Sequence, residues 1–171
     1  TDSIAAWLQS ERIVRSMPNT PALIGQGAMG LFARPAVSEE ERQLVEQLVQ
    51  STGILKWVKQ EQLLDGVTAI SGSGPAYVFY FLEVLEKAGQ EMGLTPEQAK
   101  ELAIATFKGA ASLAENSTDS SAVLREKVTS KGGTTHAAIQ TLEDANTRDI
   151  FTKALFAAKS RAHELGQEFG A

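Results

Sequence analysis

The sequence has no cysteine and only two histidines, His136 and His163. Disulfides, thiolate nucleophiles and Cys-based zinc sites are thereby excluded, and a His-rich metal centre has too few ligands. Aromatic residues are sparse, at 6%. No apolar run approaches the roughly 18 residues that read as a membrane span. A basic excess is missing as well: 16 Lys and Arg stand against 21 Asp and Glu, a net charge of −5. The electrostatic footprint of a nucleic-acid binder is therefore absent overall. The first residues, TDSIAAWLQSER, carry neither the basic nor the apolar region of a secretory signal, so no signal peptide is expected. These absences predict a cytoplasmic protein with no metal, no nucleic-acid partner and no membrane partner.

What is present is ordinary globular material: 171 residues, 43% hydrophobic and 22% charged. That length suggests one domain or one and a half. A complete doubly wound dinucleotide-binding domain plus a second domain does not fit. The texture changes near residue 60. Before it, Ile4–Gln9 reads as the end of a helix and Arg12–Met17 as a short strand. Pro18 and Pro21 punctuate a turn. Gly25–Ala33 reads as a strand with bulges, or as loop and strand. Ser38 and Glu41 form a capping box for an amphipathic helix over 39–51, with Gly53 as its expected C-cap. Ile54–Val58 is a strand candidate. This order resembles the tail of an α/β sheet.

After residue 60 the pattern is almost wholly helical. The sequence GSGP at 72–75 opens a long segment through Met92, with apolar Ala76, Phe79, Leu82, Leu85 and Met92 at helical steps. Tyr77, Tyr80 and Phe81 widen that stripe until the helix must be buried or packed on a partner. Thr95 and Gln98 make a second capping box, with Pro96 at the first helical position, for an alanine-rich helix over 96–115. Shorter helices are predicted over 122–128 and 134–145, and a last one over 148–169.

Three glycine-bearing stretches invite chemistry. GQGAMG at 25–30 matches G-x-G-x-x-G letter for letter. A dinucleotide fingerprint needs a strand before it, a helix starting inside it and an acidic strand end about 20 residues later. The turn PNTPALI precedes it and LFARP follows, so a glycine-bulged strand is the better reading. Ser71–Gly74 stands ahead of a helix, where small side chains favour close packing over anion binding. The third, VTSKGGTT at 128–135, sets two glycines among hydroxyls and a lysine before a helix start. It suits either a small carboxylate or a tight turn in which Thr134 or Thr135 caps the helix. His136 and His163 read as surface residues, the triplet Glu39–Glu41 as helix capping, and Trp7 and Trp57 as core or interface packing.

Taken together, MPNTP (17–21), SGSGPAY (71–77) and VTSKGGTT (128–135) resemble, in order and spacing, the pyrroline-5-carboxylate reductase family. The resemblance covers essentially the whole chain. It implies a mainly α fold: residues 1–62 are the C-terminal remnant of a Rossmann NAD(P)-binding domain, and 63–171 an all-helical dimerisation and substrate domain. It implies hydride transfer from NADPH or NADH to the imine carbon of 1-pyrroline-5-carboxylate, giving L-proline in the last step of proline biosynthesis. Ser130, Gly132, Gly133, Thr134 and Thr135 would bind the substrate carboxylate. Thr68 would be the catalytic residue near the substrate nitrogen, positioning a water or proton donor. Met17, Pro18 and Asn19 would lie on the nicotinamide side, and Lys127 would touch the cofactor.

Two departures stand out. Lys131 occupies the place of the family's usual proline, which loosens the loop and adds a cation. The segment 116–121, where some relatives carry a glutamate near the substrate amine, offers only Asp119. The resemblance also implies that the true cofactor loop lies upstream of Thr1, so the chain is expected to be a fragment, inactive alone, that forms a homodimer or a higher homo-oligomer. One alternative is a non-enzymatic helical dimerisation or small amino-acid-binding module. Another is a dehydrogenase of β-hydroxy acids; only Lys108 loosely matches its lysine, and VTSKGGTT would be left unexplained.

Overall fold

The computed structural model describes residues 1–169. Helix α1 (Asp2–Leu8) leads to strand β1 (Val14–Met17), and a 3-10 turn (Thr20–Ile24) to β2 (Gly27–Ala33). Helix α2 (Glu39–Val49) and a second 3-10 turn then deliver β3 (Gly53–Trp57). The sheet order is β1-β2-β3, with β1 antiparallel and β3 parallel to β2. Thus β2–α2–β3 is one βαβ crossover, and β1 is an added antiparallel strand.

The capping box of α2 forms as expected: Ser38 Oγ accepts from the Glu41 amide, and the Glu41 carboxylate accepts from the Ser38 amide. Gly53 is not the C-cap. Gln50 takes that place, and Gly53 opens β3 at φ 137°, a conformation closed to other residues. The strand over 27–33 carries no bulge, because its register with both neighbours runs without a break.

The helical part begins earlier than GSGP. Helix α3 (Leu63–Val67) runs into a π-helical turn (Thr68–Gly72), and α4 (Gly74–Glu91) follows. Then come α5 (Pro96–Glu115), capped by the Thr95–Gln98 box, α6 (Ser121–Lys127), capped by Ser120, α7 (Thr134–Asp144) and α8 (Thr147–Phe169). No helix among the described residues is long and apolar enough to cross a membrane.

Two compact units result. One comprises Thr1–Tyr77 with the C-terminal stretch from Thr152, the other Val78–Phe151. The first has a conventional core in which Leu31 of β2 and Leu64 of α3 are fully buried, with Ile13, Met29, Val37 and Ala69 around them. Helix α3 lies close on the sheet because Gly30 has no side chain: a Cβ there would come within 2.8 Å of Val67. In the second unit the buried residues are Gly89, Ala99 and Ala103 alone, marking a close α4–α5 contact. The aromatic stripe of α4 stays open. Phe79 and Tyr80 are each 64% exposed, while Phe81 meets Phe151 edge-on at 5.8 Å.

Two side chains need a closer look. Trp7, read as core or interface packing, is 70% exposed on α1, so it is not in the core of this chain. His163 is not mere surface decoration: its Nδ1 lies 3.2 Å from Oδ2 of Asp65, a buried carboxylate on α3, and Gln167 contacts its Nε2 at 3.1 Å. A buried carboxylate requires such a partner. Trp57 is half-buried, with its indole N–H on Glu46 and the Arg42 guanidinium over its ring.

Candidate functional site

The first unit gathers Met17, Asn19, Thr68 and the π-turn at one end of the sheet. Asn19 follows β1 and uses both ends of its amide. Its Nδ2 donates to the Ser71 carbonyl at 3.0 Å, and its Oδ1 accepts from the Ala28 amide at 2.9 Å. Met17 comes up against Gly72, where a Cβ would lie 2.7 Å from the Met17 terminal methyl. The close-packing reading of the SGSG stretch therefore describes the structure. Gly72 lies within a continuous run of helical turns, so no free helix N-terminus stands there.

Thr68 begins the π-turn. Its hydroxyl donates to the Leu64 carbonyl at 2.8 Å, and its own carbonyl accepts from the Ser73 amide at 2.8 Å. With its proton committed, the Thr68 oxygen offers lone pairs and acts as an acceptor. Beside this turn a cavity of about 330 Å³ opens between β2, β3 and α3, lined by Ala28, Gly30, Ile54, Val67 and Ile70 with Lys56. Its apolar walls suit a flat or aliphatic group rather than a phosphate.

G-x-G-x-x-G at 25–30 fails as a phosphate loop for a structural reason. Gly27 and Gly30 lie within β2 rather than at a strand-to-helix turn, and their amides enter the sheet.

The second unit holds the loop before α7. Gly133 is the N-cap of α7, and no side chain caps the helix, which corrects the expectation that Thr134 or Thr135 does so. The turn closes by a Gly133 amide bond to the Ser130 carbonyl at 3.0 Å. The two glycines differ in how far they are needed: the left-handed backbone favours glycine at 132, whereas at 133 a side chain would only press on the Ser130 hydroxyl. Gly132 sits at φ 75°, and a Cβ on Gly133 would lie 2.7 Å from Ser130 Oγ. The first intrahelical bond is Ala137 N–H to the Gly133 carbonyl. The amides of Thr134, Thr135 and His136 therefore stand ahead of it, at the positive end of the helix dipole. Ser130, Lys131 and Thr134 are exposed and Thr135 half-buried. Nearby charges are neutralised in pairs, Lys127 with Asp119 and Arg125 with Glu143. The Lys127 ammonium is thus committed to a carboxylate of its own segment. Among the described residues no group of three His, Cys, Asp or Glu could hold a metal.

Sequence reasoning missed Asp65, His163 and the π-turn. Pro75, four residues after Ser71, was the available signal for the turn, because proline leaves the carbonyl four residues earlier without its helical donor.

Residues 61–165 match the family model described as pyrroline-5-carboxylate reductase dimerisation. A pyrroline-5-carboxylate reductase of Pseudomonas aeruginosa is 43% identical over 169 residues, 98% of this chain and 62% of that protein. The Haemophilus influenzae protein of the same name is 41% identical over 95% of this chain and 64% of its own length. Among solved structures, a pyrroline-5-carboxylate reductase from Coxiella burnetii superposes with a TM-score of 0.91 at 45% identity, covering 95% of this chain and 60% of that one. The Plasmodium falciparum pyrroline carboxylate reductase with NADP bound gives 0.85 at 34% identity, covering 91% and 61%. The chain thus spans about three fifths of the length of the relatives it matches. A mainly helical chain with a small three-stranded sheet, matched over residues 61–165 to this family model, belongs to the pyrroline-5-carboxylate reductase family.

Proposed function

We propose that the chain is the substrate-binding and dimer-forming part of a cytoplasmic pyrroline-5-carboxylate reductase, with residues 1–62 closing the cofactor domain and 63–171 forming the dimerisation domain. NADPH or NADH, when bound, supplies a hydride from its C4 to the imine carbon of 1-pyrroline-5-carboxylate. The imine nitrogen takes a proton, and L-proline with oxidised cofactor results.

The observation that carries this reading is the α7 loop. A helix start with no side-chain cap, a left-handed Gly132 beside Gly133, and the hydroxyls of Ser130, Thr134 and Thr135 make a carboxylate-sized set of donors. Thr68 serves the nitrogen end. Its hydroxyl proton is held by Leu64, so its oxygen accepts from the protonated imine or from a water that delivers the proton. No strong general acid is required, since holding the imine against the dihydronicotinamide is itself a large contribution. Met17, Pro18 and Asn19 would line the nicotinamide side, with Lys127 nearby once its pairing with Asp119 is released. The second unit, with a buried set of only Gly89, Ala99 and Ala103, supports a homodimer that covers the rest.

Two assays test the reading. The isolated chain, incubated with NADPH and pyrroline-5-carboxylate, should show no sustained NADPH consumption, because the described residues hold no pyrophosphate loop; steady turnover would overturn that inactivity. Titration with L-proline, followed by NMR, should shift the amides of residues 130–135. Thr135→Val should weaken the binding about tenfold. An unperturbed loop would remove the substrate assignment.

A further inference from the structure

The π-turn at Thr68–Gly72 has a cause in the sequence and a partner across the fold. In a regular helix the Ser71 carbonyl would accept from the amide of residue 75. That residue is Pro75, which has no N–H and whose ring crowds the same carbonyl. The chain responds by widening into a π-turn, closed by the Ser73 amide on the Thr68 carbonyl at 2.8 Å, and α4 restarts with the Ala76 amide on the Ser73 carbonyl at 3.0 Å. The Ser71 carbonyl would be orphaned in a half-buried position. Asn19 Nδ2 supplies its hydrogen bond at 3.0 Å, while Asn19 Oδ1 takes the Ala28 amide at 2.9 Å. One side chain thereby joins the end of β1, the start of β2 and the π-turn.

We propose that Asn19 is a positioning residue. It compensates for the donor that Pro75 removes, and so holds the π-turn that sets the direction of the Thr68 hydroxyl. The link to catalysis rests on the reading of Thr68 given above; the link between Asn19, Pro75 and the turn stands without it. Met17, pressed on Gly72, completes the contact from the same strand end.

The test is amide exchange at single-residue resolution in the 171-residue chain. Asn19→Ala should speed exchange of the Ser73 amide about tenfold. Adding Pro75→Ala returns an N–H to the Ser71 carbonyl, so the double variant should recover protection to within about threefold of the parent. A general loss of stability would not be rescued by Pro75→Ala. Asn19→Asp keeps the acceptor for Ala28, removes the donor and sets a carboxylate oxygen against the Ser71 carbonyl. It should deprotect Ser73 while leaving the Ala28 amide protected, and it decides the matter if Asn19→Ala does not fold. Unchanged Ser73 exchange in Asn19→Asp, or no recovery in the double variant, would overturn the proposal. A separate arm addresses catalysis: L-proline should shift the Thr68 methyl resonance in the parent and not in Asn19→Asp, with the shifts at Thr134 and Thr135 retained. If the parent shows no shift at any of these positions, the functional reading of Thr68 fails while the exchange result still judges the clamp.

Discussion

Between Thr1 and Tyr77 the chain fully buries Leu31 and Leu64 and surrounds them with Ile13, Met29, Val37 and Ala69. Between Val78 and Phe151 the buried residues are Gly89, Ala99 and Ala103, while Phe79, Tyr80, Leu102 and Leu113 lie open. Both stretches are rich in apolar residues. The first spends them on its own core, because a sheet face and one short helix cover each other. The second consists of helices whose apolar surface exceeds what they offer one another, which is the observation behind the proposed second copy of the chain.

The contrast is breakable. The largest effect is expected at the open stripe of the second unit. Phe79→Asp places a charge in the surface proposed to be shared, and should raise the dimer dissociation constant at least about 100-fold, roughly 3 kcal/mol. Analytical ultracentrifugation reads this directly, and a parent chain that is already monomeric at micromolar concentration would sink the dimer. Next comes the self-sufficient core. Leu64→Ala should cost about 2–5 kcal/mol in urea unfolding. Equal dimer dissociation constants for variant and parent would confirm that the two units draw on different sources of stability.

A smaller effect belongs to pH. Burial raises the Glu61 carboxyl, but hydrogen bonds that include those from the Thr1 hydroxyl and Arg15 outweigh it and hold the group below its ordinary value of 4.5. A carboxylate with a depressed folded-state pKa stabilises above its unfolded value, and that stability is lost as pH falls through the folded one. The expected loss is about 1 kcal/mol, allowing for partial exposure. Glu61→Gln should flatten this part of the curve; an unchanged acid limb would refute the assignment. The smallest effect is on α2, where Arg42→Ala removes a guanidinium 5.3 Å over the Trp57 ring. About 0.5 kcal/mol is expected, with a change in Trp57 fluorescence and none in dimerisation.

Legibility in the sequence followed the range of the interaction. Ser38 with Glu41 and Thr95 with Gln98 announce two helix starts that the structure reproduces, because a capping box closes within four residues. The strands expected over 12–17 and 54–58 form over 14–17 and 53–57, legible from short apolar runs between turn residues. Gly53 was misread as a helix stop because its left-handed φ is also what a strand entry against Gly27 demands. His163 looked decorative because Asp65, its partner, is 98 positions away. Of the proposed site, the GGTT loop was visible as composition. That Gly133 rather than a threonine stands at the N-cap was not, since both begin a helix equally well on paper.

Local order, then, was written in the chain alone: caps, glycine-bearing turns, the missing ligands for metal or disulfide, and the motif spacing that marks the family. Those features depend on residue type and on separations of a few positions. Tertiary structure decided what crosses the fold. It converted a G-x-G-x-x-G string into the interior of β2, turned Asn19 into the donor that Pro75 withholds, and left the second unit without a core of its own. Each of these depends on which surfaces meet, and that is information no window along the sequence contains.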